Sequence, residues 1–311
     1  MQLFVQQLIN GLSLGAVYAL IALGYTMVYG VLRLINFAHG DIYMVGAVIA
    51  WALATWLQRL GVPPWVTLPL VFAGAMIGCA LLGFLIEFLA YRPLRNRPRI
   101  VSLITAIGVS LLLENLFEQG SVFGPTPRTM PGLLQVRPMF SFHVGASASP
   151  VVINNLDFIT FVLTLVLMAI LTWVILRTRT GLALRAVSFR FDTASLMGVN
   201  TGRIISITFM LGSALAAVAG VMDAIRYNVY PLMGLMAGLK AFVAAVVGGI
   251  GSIPGAVFGG LLIGLLEALL KGLILPPDYN GLADAGVFLV LILILLVKPS
   301  GLFGRHVAEK V

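Results

Sequence analysis

Charge is what this sequence has least of. Only 10% of its 311 residues are Asp, Glu, Lys or Arg, against about a quarter in a soluble domain, and 60% are apolar. Residues 1–32 hold no Asp, Glu, Lys, Arg or His, and neither do 42–58, 60–86, 100–113, 158–176, 204–222, 241–266 and 285–297. A surface this poor in charge is not kept wet by water, which excludes an ordinary soluble domain.

Cysteine is nearly absent too. Cys79 stands alone inside an apolar run, so no disulfide forms within the chain, and it reads as a small buried or lipid-facing residue. The histidines His39, His143 and His306 are far apart, which leaves no metal-ligand spacing. A phosphate-cradling loop needs a Gly-Lys pair, yet the four lysines follow Leu239, Leu270, Val297 and Glu309. No nucleophile–base arrangement is visible. The expectation is a non-enzyme with no catalytic residue, no metal site and no ATPase site of its own.

What is present is length in the apolar runs. About 20 apolar residues cross a hydrocarbon core of roughly 30 Å, and in lipid such runs must satisfy their backbone internally, as helices. A transmembrane barrel would alternate apolar and polar residues in segments of about ten, a pattern missing here. The fold class expected is an all-α integral membrane protein, a polytopic bundle of 8–9 transmembrane helices. Spans are expected near 5–31, 41–58, 65–90, 100–118, 156–176, 204–226, 255–272 and 283–298. The segment 236–250, which ends at a Gly-rich break (248–254), is either a ninth span or a re-entrant half-helix. Residues 1–311 are expected to form a single transmembrane domain, and the first segment, with no basic residue before Arg33, is expected not to be a cleavable signal.

Basic residues orient the bundle. Arg92, Arg95, Arg97 and Arg99 fill one loop; Arg177, Arg179, Arg185, Arg190 and Arg203 fill another; Lys298, Arg305 and Lys310 lie near the C-terminus. The positive-inside rule makes these cytoplasmic, so the net charge of +8 marks membrane orientation and implies no nucleic acid. If 236–250 crosses, nine spans leave the C-terminus cytoplasmic and the N-terminus outside. The Pro-rich stretch 119–155 is then an outer loop, and 177–203 the longest cytoplasmic loop.

Polar groups within apolar context are the candidates for a transport pathway. Glu114 lies deepest in a span; Asp223 has Arg226 at i+3, and Glu267 has Lys271 at i+4. Glu87 and Asp157 sit near span ends, where they are expected to reach the interface. Breaks at 36–41 (Asn36, His39, Asp41) and at Gly248-Gly249 are the places where helix ends could open onto such a pathway. An ordinary capped turn at 36–41, with Asn36 and Asp41 bonding backbone, is the alternative there. Small-residue repeats, Gly11, Gly15 and Ala19 and the pairs Gly255–Gly259 and Gly260–Gly264, permit close helix approach, either within the chain or against a second subunit.

The loop 177–203 holds the most specific pattern. Asp192-Thr193-Ala194-Ser195-Leu196-Met197-Gly198 begins with a helix-capping residue type and ends in glycine. It resembles the acidic-Ala-Ala-x-x-x-Gly coupling helix by which permeases of ABC importers dock onto their ATPase subunits, with Thr193 at the second position. The blocks Asn10–Tyr25, Ile35–Asp41, Tyr91–Arg95, Thr180–Ala186 and Lys240–Gly249 resemble, in order, the branched-chain amino-acid permeases of such importers. The early start of the first block is similar to the LivH type rather than the LivM type. The resemblance implies coupling through Arg185, Asp192, Ala194, Leu196 and Gly198, and a pathway using Asn36, His39, Asp41, Glu114, Gly248 and Gly249. It also implies a second homologous permease of LivM type, two cytoplasmic ATPase subunits carrying ATP and Mg, and a periplasmic amino-acid-binding protein, in the bacterial inner membrane. Leucine, isoleucine and valine would be the cargo, moved by alternating access. A permease for sugars, nucleosides or urea-like solutes, and a self-sufficient channel or carrier, are the competing readings.

Overall fold

A computed structural model describes residues 1–95, 97–143 and 150–304. Arg305, His306 and Lys310, and residues 144–149 of the outer loop, lie outside the described residues.

Eleven α-helices follow one another among the described residues: α1 (Gln2–Leu32), α2 (His39–Arg59), α3 (Pro64–Ile86), α4 (Arg99–Glu118), α5 (Asn155–Arg177), α6 (Arg179–Phe189), α7 (Phe191–Leu196), α8 (Thr201–Arg226), α9 (Met233–Gly248), α10 (Ile253–Leu269) and α11 (Leu282–Val297). Seven are long and apolar enough to cross a membrane, α3 and α10 being counted with the turns that extend them to Leu94 and Ile274. The chain is thus a polytopic all-helical membrane protein. The shorter apolar helices α9 and α11 have 16 residues each; at 1.5 Å per residue that is about 24 Å, short of the ~30 Å core.

The connection between α4 and α5 contains an antiparallel hairpin, β1 (Pro138–Phe142) with β2 (Val151–Asn154). The Gln6 side chain of α1 donates to the Val152 carbonyl (3.0 Å) and accepts from its N–H (2.8 Å), joining β2 to that helix. Strands this short carry little pattern in sequence.

The backbone gathers into two compact units. The first holds Met1–Thr26, Val136–Met168 and Lys240–Val311; the second holds Met27–Gln135 and Ala169–Leu239.

In the first unit, the two small-residue stripes meet each other. A β-carbon on Gly15 would stand 2.7 Å from the Leu261 α-carbon, and one on Gly260 would stand 2.5 Å from that of Ala19. A β-carbon on Gly259 would stand 2.0 Å from the Ala244 carbonyl oxygen of α9. These stripes therefore serve packing inside the chain, through close helix approach where lipid supplies no hydrophobic drive. In the second unit, α2, α3 and α8 pack the same way. A β-carbon on Gly220 would meet the Tyr43 carbonyl oxygen at 2.3 Å, and one on Gly46 the Ala217 α-carbon at 2.7 Å.

Two of the long helices end in a widened π-turn, α3 at Glu87–Tyr91 and α10 at Leu270–Ile274. A π-turn inserts one extra residue and re-aims the side chains around it. Both turns lie at or beside a buried carboxylate, Glu87 and Glu267.

Candidate functional site

The loop after α5 is folded throughout rather than only at 192–198. Thr178 caps α6, its hydroxyl accepting from the Gly181 N–H at 3.0 Å. Arg185 on α6 donates to the Leu176 carbonyl at 3.5 Å, and the Ser188 hydroxyl to that of Gly30 at 2.5 Å. The extended backbone of Arg190 then separates α6 from α7. Asp192 lies in the first turn of α7, whose N-cap is Arg190; the helix starts two residues earlier than a cap at Asp192 would place it.

The far end of α7 is as its glycine requires. Gly198 takes a left-handed backbone (φ 83°), the Gly198 N–H bonds the Ser195 carbonyl and the Val199 N–H that of Ala194, both at 3.0 Å. These two bonds make a Schellman cap. Asn200 then caps α8, accepting from the Arg203 N–H at 3.0 Å. Ala194 turns inward and is buried, while Leu196 and Met197 stand 87% and 80% exposed and Phe189 81%. Three large apolar side chains on a short, doubly stopped helical corner form a surface suited to a protein partner.

Four of the pathway candidates lie in the second unit. Asn36 is buried and its Oδ1 accepts from the Tyr91 hydroxyl at 3.0 Å, while its Nδ2 is buried with no partner among the described residues. A turn at 36–39, closed by the His39 N–H to the Asn36 carbonyl (3.1 Å), leads into α2 with His39 and Asp41 fully inside. The Ser110 hydroxyl of α4 donates to Asp41 Oδ2 at 2.5 Å, and the Glu114 carboxyl lies near that of Asp41. Glu114 Oε1 is buried without a partner among the described residues. Asn36 is thus held by a side chain from another helix rather than by the local turn, and Asp41, Ser110 and Glu114 converge.

Gly248 and Gly249 lie in the first unit. Gly249 is left-handed (φ 100°). The Val247 and Gly248 carbonyls accept from the Leu302 and Phe303 N–H groups at 2.8 and 3.0 Å. The final described residues therefore cover the end of α9.

Other charged groups found partners that spacing alone missed. Glu87 is fully buried, ion-paired with Arg95 and accepting from the Ser206 hydroxyl at 2.6 Å. Asp157 is also buried. Neither reaches the interface as its place near a span end suggested, because the π-turn aims Glu87 at α8, and Asp157 closes the start of α5 by accepting from the Asn154 N–H at 3.3 Å. Glu267 keeps its expected partner, Lys271 (2.5 Å), and adds Lys240 (2.7 Å) and the Tyr18 hydroxyl (2.8 Å); Lys240 also pairs with Asp284 (2.7 Å). Asp223 accepts from Tyr43 at 2.5 Å. Sequence distance explains the misses, since Tyr18 and Glu267 are 249 residues apart. Among the described residues no group of three or more His, Cys, Asp or Glu is placed to hold a metal ion.

Comparison with known proteins bears on this arrangement. The profile of a family described as "Branched-chain amino acid transport system / permease component" matches residues 7–297. The high-affinity branched-chain amino acid transport system permease protein LivH of Escherichia coli (strain K12) is 43% identical over 99% of this chain and 98% of its own length. The corresponding permease protein BraD of Pseudomonas aeruginosa is 44% identical over 99% of this chain and 98% of its own. Among solved structures, PsaBC from Streptococcus pneumoniae in complex with Fab aligns over 93% of this chain and 94% of its own, at 16% identity and a TM-score of 0.46, a likeness too loose to bear on cargo or assembly.

Proposed function

The chain belongs to the branched-chain amino-acid transport permease family, and from that premise we propose that it is a membrane subunit of an ATP-driven importer of leucine, isoleucine and valine. Its partners are a second, LivM-type permease, two cytoplasmic ATPase subunits carrying ATP and Mg, and a periplasmic binding protein that delivers the amino acid. The chain has no ATPase site and works as one permease domain, residues 1–311, multi-pass in the bacterial inner membrane.

The observation that carries this reading is full-length similarity to permeases such as LivH and BraD together with the exposed, doubly stopped helix α7. The arginine-rich loops around 92–99 and 177–203 face the cytoplasm by the positive-inside rule. Loop 119–155 lies outside, and nine crossings leave the N-terminus outside and the C-terminus inside. ATP binding draws the ATPase pair together; α7 moves with it through Leu196 and Met197, with Ala194 seated below and Gly198 fixing the corner. Asp192 and Arg185 frame that contact with charge. In the second unit Asn36, His39, Asp41 and Glu114 line a route for the zwitterion; in the first, Gly248 and Gly249 offer it a helix end.

The test is ATP hydrolysis by the reconstituted importer. Binding protein loaded with leucine should stimulate hydrolysis, and Leu196→Asp/Met197→Asp should abolish that stimulation and release the ATPase subunits from the membrane while the chain still inserts. Full stimulation in the double variant would remove α7 from the coupling role.

A further inference from the structure

The arginines that orient the chain also surround a cavity. It has a volume of about 760 Å³ and lies wholly in the second unit, between the end of α1, the turns that close α3, and α6–α7. Arg33, Arg92, Arg95 and Arg97 line it, against one carboxylate, Asp192. Arg95 is neutralised by Glu87, behind the lining, yet its Nε is buried with no partner among the described residues. Arg92 packs over the Phe88 ring at 5.3 Å. No ion pair joins Arg33, Arg92 or Arg97 to a described residue. Arg33 reaches the lining from a left-handed backbone (φ 53°), a costly conformation for a residue with a side chain.

We propose that this cavity binds a phosphate group, carried on an anionic phospholipid headgroup or present as free phosphate. Several guanidinium groups converging on one space match the geometry of phosphate oxygens, which accept paired N–H donors. The remaining wall mixes apolar residues such as Leu34, Phe189 and Ile205 with the hydroxyl-bearing Tyr91, Ser102 and Ser188, and the cavity lies at the ends of two spanning helices, α1 and α3. A basic pocket between helix ends at a membrane surface is where lipid headgroups are recognised. Because Asp192 and Phe191 of α7 share the lining, the occupant touches the coupling corner. The site rests on the membrane reading of the chain and not on its cargo.

The test uses the full chain in a neutral detergent. A thiol-reactive dye reports unfolding through Cys79, which is buried until the fold opens. Dioleoyl phosphatidylglycerol, dioleoyl phosphatidylcholine and inorganic phosphate are titrated separately, and native mass spectrometry counts retained lipid. Phosphatidylglycerol should raise the melting temperature and be retained, and phosphatidylcholine should do neither. Arg33→Gln/Arg97→Gln should weaken phosphatidylglycerol binding about tenfold, whereas Arg59→Gln, at the exposed end of α2, should leave it unchanged. If the double variant is too unstable to melt cleanly, Arg97→Gln alone is read by lipid retention. Inorganic phosphate reproducing the whole shift assigns the site to free phosphate; a shift reached only with phosphatidylglycerol assigns it to the headgroup. Unchanged phosphatidylglycerol binding in the arginine variants overturns the proposal.

Discussion

A β-carbon at position 40 would stand 2.4 Å from the carbonyl oxygen of Gly234, and one at 234 would stand equally close to that of Gly40. Two backbones meet here with nothing between them, beside the buried His39 and Asp41. Gly40→Ala should therefore destabilise the protein by about 1–3 kcal/mol through overpacking and slow transport with it. Gly108→Ala is the control: it lies on α4 with no atom within 4 Å of the added carbon and should be neutral or stabilising by up to about 1 kcal/mol. Thermal unfolding followed at Cys79 checks both, and equal melting temperatures for the two variants would contradict the close approach. At this scale the sequence was legible in part. Asn36, Asp41 and Glu114 stand out as polar groups in apolar context. Their partners Tyr91 and Ser110 do not, because those contacts join residues 55 and 69 positions apart.

Among the elements, the long helices are the most legible, since an uncharged run in lipid has one way to satisfy its backbone. The expected span near 204–226 and the observed α8, Thr201–Arg226, differ only at the capped N-terminus. Helix α6 was not foreseen: Arg179 and Arg185 break its apolar pattern, and its buried residues Gly181, Leu184 and Val187 are too few to mark it. The hairpin β1–β2 escaped for the opposite reason, with β1 exposed along its whole length. Helix α7 was legible through its terminal glycine, and that glycine supplies the prediction for this scale. Gly198→Val forces a β-branched residue into a left-handed backbone (φ 83°), costing about 1–2 kcal/mol, enough to loosen a six-residue helix. Leucine uptake should fall severalfold while membrane insertion, measured by fractionation, stays normal. Unaltered uptake would mean that the shape of the corner does not matter to coupling.

At the scale of the whole chain, several of the buried charges are paired with one another. Glu267 and Lys240 form a buried pair in the first unit, extended by the more exposed Lys271 and Asp284, and Glu87 pairs with Arg95 in the second. Removing one member of a buried pair costs about 3–5 kcal/mol, so these groups hold helices in fixed register. The large apolar groups on α7 lie outside such networks and outside the seven long helices, where a partner rather than lipid would cover them. Family and fold class were both readable in advance, because ordered motif blocks and long apolar runs are properties of the chain itself. The class of cargo came with the family; the identity of the partners was not readable, since it depends on molecules the chain meets. The most direct test is uptake of radiolabelled leucine into proteoliposomes containing this chain, a LivM-type permease, the ATPase subunits and the binding protein, with each component omitted in turn. The account predicts uptake that needs ATP and fails on every omission. Uptake by this chain alone, indifferent to ATP, would contradict it and make the protein a channel or carrier.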